Sequence, residues 1–297
     1  MSGQRRAVLI AGPTASGKSA FALARARRNG GVIVNADAMQ VYDTLRILTA
    51  RPGPEDLAAA EHRLYGTVPA RERFSTGEWV RAVVGLLPGI DPQRELIFVG
   101  GTGLYFEALA KGFADVPNVP AAVADAVQQE VQALDAAGRM ALLRAEDPDM
   151  AARLKVADPQ RVIRALAVRR ASGRSLSSFQ QVRQEGLIRH WQVEKILLTP
   201  ERDVSRARIA ARFETMFETG AVAEVEALRA QRLDPSLPAM KAIGVREISG
   251  WLDGVLSQDE AIARAIIATN QYAKRQRTWF RNRMGDWPRV GLDGRPL

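Results

Sequence analysis

Apolar residues in this chain come in two textures. Short unbroken runs, "AVLIAG" at 7–12, "GVIVNAD" at 31–37 and "LIFVGG" at 96–101, are too brief for helices and end in glycine or a polar turn. Runs of that kind read as strands buried on both faces. After the first and third come stretches of helical texture, "KSAFALARARR" and "GLYFEALAKG". Strand, tight turn and helix in repetition predict βα units around a mostly parallel sheet. "WQVEKILLTP" at 191–200 is predicted to return one more strand to it.

The second texture is amphipathic and strand-poor. "VPAAVADAVQQEVQALDAAG", "GRMALLRAEDPDMAARL" and "DPQRVIRALAVRRASG" follow one another between about 115 and 190. Their apolar residues recur at helical spacing. The expected architecture is therefore an α/β core of phosphate-loop type, its mostly parallel sheet flanked by helices, with a helical insertion. Residues 1–114 form the first part of the core, 115–190 the insertion, and 191–297 the return, which ends in basic helices. Residues 201–229 and 259–284 are predicted helical.

Composition narrows the chemistry. The chain has 297 residues, 46% of them hydrophobic, enough for a substantial core. No cysteine is present, which excludes disulfides and thiolate chemistry, and His62 and His190 are the only histidines, so no histidine cluster can bind zinc. A formal charge of +9 points to a polyanionic partner such as nucleic acid. The N-terminus lacks the apolar segment of a signal peptide, and no long apolar run suggests a membrane span. A cytoplasmic monomer without a membrane partner is the expectation.

The sharpest local signal is "GPTASGKS", Gly12, Pro13, Thr14, Ala15, Ser16, Gly17, Lys18 and Ser19. Its spacing fits the Walker A pattern, in which backbone amides at a helix start converge on phosphate oxygens. Lys18 adds a mobile positive charge, and Ser19 can hold magnesium. An ATP hydrolase also needs a strand-end acid opposite the loop. Here "LIFVG" runs into "GGTG" instead, where Thr102 can meet phosphate or substrate, or cap the following helix. Asp37, at the end of "VIVN", lies where parallel sheets build sites, and can accept a proton or orient magnesium. Gln40 carries an amide able to bind adenine in two places. Arg206, Arg208 and Arg212 recur at helical spacing. "QRVIRALAVRR" puts Arg161 and Arg164 on neighbouring helix surface. "NQYAKRQRTWFRNR" carries Lys274, Arg275 and Arg277 among Tyr272, Trp279 and Phe280 without an acid.

"GPTASGKS", "NADAMQVY", "RP", "GGTGLYFEAL", "DPQRVIRAL" and "NQYAKRQRTWFR", in this order, resemble the tRNA dimethylallyltransferases, also called tRNA isopentenyltransferases. The resemblance spans nearly the whole chain. It implies transfer of a dimethylallyl group from its diphosphate to N6 of the adenosine at position 37 of the tRNA anticodon stem-loop. It also implies that the loop at 12–19 grips the prenyl diphosphate, with Mg2+ on Ser19. Asp37, Thr102, Lys18 and Arg212 take the catalytic positions, with Arg208 the substitute for Arg212. Tracts at Asp37, Ala38, Met39 and Gln40, at Gln160, Arg161, Val162, Ile163 and Arg164, and at Lys274, Arg275 and Arg277 take tRNA, as does the insertion. The chain departs from the family pattern at Ala38, where a serine is usual, at Arg46, where an acid is usual, and at Leu48, where glycine is usual; Arg63 replaces a histidine. Three other readings remain open at this point: a free adenine-nucleotide isopentenyltransferase, a small-molecule P-loop kinase, and a non-enzymatic RNA-binding protein.

Overall fold

The computed structural model describes residues 4–114, 116–182 and 184–291. The expected segment ends at 1 and 297, and the start of the insertion at 115, lie outside the described residues. Contacts divide the chain into two compact units, one of residues 1–110 and 187–297, the other of 111–186.

In the first unit the chain runs β1 (Arg6–Ala11), α1 (Lys18–Asn29), β2 (Val32–Asn35), α2 (Pro54–Ala59), β3 (Glu61–Arg63), α3 (Thr76–Leu86), β4 (Leu96–Gly100) and α4 (Gly103–Lys111). The second unit holds α5 (Ala121–Gln132), α6 (Ala136–Glu146), α7 (Pro148–Arg153), α8 (Pro159–Ser172) and α9 (Leu176–Gln181). The first unit then resumes with β5 (Gln192–Leu198), α10 (Arg202–Met216), α11 (Val222–Ala230), α12 (Val245–Leu252), α13 (Gln258–Arg283) and β6 (Arg289–Val290).

Six parallel strands form one sheet in the order β3-β2-β4-β1-β5-β6. The four runs read as strands in the sequence occupy its middle. β1 pairs with β4 and β5, Leu9 opposite Phe98 and Lys195, and every residue of β2 and β4 is buried. Each strand end therefore delivers its loop to one edge of the sheet, the C-terminal edge where parallel sheets bind ligands. Trp79 of α3 is fully buried, stacks on Tyr105 at 4.2 Å and donates from Nε1 to the Asn35 carbonyl at 2.8 Å. That contact ties the helical layer to the end of β2.

The stretch expected to be helical at 201–229 is made of two helices. Gly220 adopts φ 126°, a conformation that no side chain favours, and a π-turn over Phe217–Ala221 joins α10 to α11.

The second unit has a core of its own. Val127, Val131, Leu143, Val162 and Leu166 are fully buried there. α8 opens on Asp158, whose side chain accepts from the Arg161 amide at 3.0 Å, with Pro159 in its first turn. Val162 thus turns its side chain into the core, so that side chain offers no surface for the contact expected of it. Gln160, Arg161 and Arg164 are exposed on the same helix, and Ile163 packs partly against the core.

Candidate active site

The loop at 12–19 joins β1 to α1. Ala15 and Gly17 both take positive φ, 61° and 78°, so successive amides turn toward one side. α1 has no side-chain cap, and its first-turn amides lack acceptors within the helix. Gly12, Pro13 and Ser16 are buried, whereas Ser19 is exposed. The Ser16 Oγ is buried without a partner.

Lys18 is half-buried, and its Nζ donates to the Pro13 carbonyl at 3.3 Å. Desolvation pulls its pKa down to about 8; the Asp37 carboxylate opposes that shift and Arg212 adds to it. Arg212 donates from Nη2 to the Thr14 hydroxyl at 2.5 Å. Its pKa is lowered too, mainly by desolvation and against the pull of Asp37. Arg208, one turn earlier, is exposed. Of the two arginines, Arg212 is the one on the phosphate loop.

A buried asparagine shapes the turn that carries Asp37. Asn35 Oδ1 accepts from the Asp37 amide at 2.8 Å, and its Nδ2 donates to the carbonyls of Asp37 and Leu64 at 2.9 and 3.0 Å. Asp37 Oδ1 in turn accepts from the Met39 amide at 3.0 Å. The other carboxylate oxygen faces Gly101, where an added Cβ would stand 3.1 Å from it. Thr102 closes this side: its hydroxyl accepts from the Ala38 amide at 2.9 Å, and its own amide donates to the Ala36 carbonyl at 3.2 Å. The Ala38 link is made by backbone, so it does not depend on the serine usual at that position.

Gln276 of α13, nearly fully buried, fastens the two halves together. Its Oε1 accepts from the Thr14 amide at 2.8 Å and its Nε2 donates to the Gly101 carbonyl at 3.0 Å. A Cβ on Gly101 would lie 2.2 Å from that Nε2, so only glycine fits. One amide therefore sets the distance between the phosphate loop and the Asp37 wall. The sequence does hold a signal for it. Tyr272, Gln276 and Trp279 recur at i, i+4 and i+7, one helix face, opposite Lys274, Arg277 and Arg281. Burial raises the phenol pKa values of Tyr65, Tyr105 and Tyr272, and the Asp37 charge adds to each. The carboxylate thus stands among desolvated phenols.

Gln40 behaves differently from its expected role. Its Nε2 donates to the Thr49 and Ala50 carbonyls at 2.8 and 2.9 Å, which commits both amide protons to holding the 40–51 loop. A bidentate grip on adenine is not what this side chain offers here. Glu224 of α11 holds the same loop, accepting from the amides of Ile47 and Leu48 at 2.6 and 3.0 Å. Leu48 packs over Gly244. Lys274 and Arg275 are exposed on α13, Arg277 is half-buried, Phe280 is core, and Trp279 covers Gly103.

The arrangement places two desolvated cations and an anion-ready helix start next to one carboxylate. It can stabilise a departing diphosphate and take a proton close by.

Comparison with known proteins identifies the family. Residues 40–283 match the model of the family described as IPP transferase, and 5–72 that described as isopentenyl transferase. A tRNA dimethylallyltransferase of Chelativorans sp. (strain BNC1) is 52% identical over 283 residues, 95% of this chain and 97% of its own. The full-length tRNA isopentenylpyrophosphate transferase of Bacillus halodurans is 29% identical with a TM-score of 0.67, over 97% of this chain and 90% of its own. A eukaryotic dimethylallyltransferase acting on tRNA shares the fold at a TM-score of 0.80, with 23% identity over 97% of this chain and 74% of its own.

Proposed function

The chain belongs to the IPP transferase family, and from that premise we propose that it transfers a dimethylallyl group from dimethylallyl diphosphate to N6 of the adenosine at position 37 of tRNA, beside the anticodon. The observation that carries the reading is the fastening of Asp37's wall to the phosphate loop through Gln276, with Arg212 on Thr14.

In this reading the allylic C1–O bond breaks as the N6–C1 bond forms. Negative charge growing on the diphosphate meets Lys18, Arg212 and the first-turn amides of α1. The proton lost from N6 passes to the Asp37 carboxylate, whose charge in turn favours the protonated Lys18. An aryl amine is a weak nucleophile, so holding it against C1 supplies much of the rate. The desolvated wall of Tyr65, Tyr105 and Tyr272 keeps water from the allylic carbon.

Among the described residues no cluster of His, Asp and Glu is arranged to hold a metal ion. Ser19, exposed at the start of α1, would hold magnesium carried on the diphosphate, and the ion would supply neutralising charge to the leaving group. Asp37, Ala38 and Met39 sit at the mouth of the site and take the flipped adenosine. Gln160, Arg161 and Arg164 on the second unit, and Lys274, Arg275 and Arg277 on α13, take the RNA backbone. The setting is cytoplasmic, the enzyme a monomer; among the described residues no helix is long and apolar enough to cross a membrane.

The test is mass analysis of anticodon-loop fragments after unmodified tRNA is incubated with the protein, magnesium and dimethylallyl diphosphate. One dimethylallyl unit on an adenosine is the expected product. Prenylation of free AMP but not tRNA, or phosphoryl transfer from ATP without a prenyl donor, contradicts it.

A further inference from the structure

A groove of about 710 Å³ opens between β5, β6, α10 and α13. Six cations line it: Arg202 and Arg206 from α10, Lys274, Arg277 and Arg281 from α13, and Arg289 from β6. No acidic side chain does so among the described residues. The sole ion pair any of the six makes, among the described residues, joins Arg206 to Asp203 at 3.4 Å, and both partners are largely exposed. Pairs of that kind neutralise little.

The groove also holds polar atoms without partners. Arg277 Nη1 and Thr199 Oγ1 are buried and accept or donate no hydrogen bond. The Arg277 pKa is lowered, first by desolvation and then by the charges of Arg202 and Arg206. Like charges crowded beside unmet polar atoms favour an anion among them.

Spacing decides which anion. Lys274, Arg277 and Arg281 follow one face of α13 over roughly 10 Å of helix axis, and Arg202 and Arg206 add about 6 Å along α10. A single diphosphate cannot reach that row of cations, whereas successive phosphates of a polymer can. We infer that this groove binds the phosphodiester backbone of RNA, with Arg202, Arg206 and Arg289 as phosphate contacts beside those of α13. It rests on the reading of the chain as a tRNA-modifying enzyme and extends the RNA footprint to α10 and β6. Contacts of this class set register and carry no base information.

The test compares the wild type with the triple variant Arg202→Gln/Arg206→Gln/Arg289→Gln, all three exposed. Affinity for unmodified tRNA is measured across a salt series, and affinity for inorganic diphosphate by titration calorimetry. Each lost phosphate contact flattens the slope of log affinity on log salt by about 0.7–0.9. The triple variant is therefore expected to lose roughly 2–3 units of slope and to bind diphosphate as the wild type does. The corresponding triple lysine variant is expected to keep the slope. An unchanged slope in the glutamine variant overturns the inference, as does weakened diphosphate binding with an intact slope. Failure of the catalytic reading shows separately, as absence of a prenyl adduct with the wild type.

Discussion

Lys18 and Arg212 sit where desolvation loosens their protons, whereas Arg202, Arg206 and Arg289 of the same unit stand in water. The first pair is few in number, close to a carboxylate, and fixed by Thr14 and Pro13. The second set is spread along a groove and held by nothing comparable. A buried cation interacts strongly with charge that appears next to it, because little water screens it. An exposed cation contributes mainly by releasing counterions from a polyanion. Burial beside a carboxylate thus marks the cations of the chemistry, and exposure marks most of those that grip. The second unit repeats the exposed pattern at Arg161, while Arg164 is partly desolvated and Arg170 on the same helix is taken up by Glu130 and Glu146.

Substitutions sharpen that contrast, beginning with the largest effect. Lys18→Met is expected to lower kcat/KM by about 10²–10³, the scale for removing a charge-stabilising donor, in steady-state assays with dimethylallyl diphosphate. A loss no larger than that of an exposed arginine contradicts the division. Gln276→Leu leaves the Thr14 amide and the Gly101 carbonyl without partners, at about 1–3 kcal/mol for each buried group. Denaturant midpoints record the lost stability, and kcat falls with it if the amide sets the spacing of the site; Gln276→Glu, which keeps the acceptor for Thr14, is expected to recover part of kcat.

The pH profile gives a third test. Lys18 binds diphosphate best when protonated, and its lowered pKa of about 8 puts the loss of that proton just above neutrality. kcat/KM for the diphosphate is therefore expected to decline as pH rises through about 8, and Lys18→Arg to remove the decline from that range. A flat wild-type profile there contradicts the desolvated lysine. The smallest effect belongs to Arg161→Gln, expected to flatten the salt dependence of tRNA affinity by about 0.7–0.9.

Much of this was legible before any coordinates. β1, β2 and β4 announce themselves because strands buried on both faces must be apolar throughout or nearly so, β5 through the apolar run that ends it at Ile196, Leu197 and Leu198, and the loop at 12–19 because few turns need its Lys and Ser spacing. β3 is "EHR" and β6 is "RV", too short and too polar to stand out from loops. They exist because the sheet's edges offer them backbone partners. Asn35 and Gln276 escaped for a related reason. Their work is done through hydrogen bonds to residues that are close only in the folded chain, Gln276 reaching Thr14 across most of the sequence. Val162 shows the converse: it sits inside a run that matches a family tract, yet helical spacing turns it into the core. Gln40 likewise kept its place in the pattern while its amide was committed to the backbone of its own loop.

The most direct test of the account is a single-turnover comparison of wild type and Asp37→Asn with both substrates saturating. Asparagine preserves the size and the Met39 hydrogen bond but cannot take a proton. The account predicts a fall of about 10²–10⁴ in the rate of adduct formation, with diphosphate and tRNA affinities close to those of the wild type. An unchanged rate would show that the N6 proton leaves by another route, and that the carboxylate beside the phosphate loop is not the base.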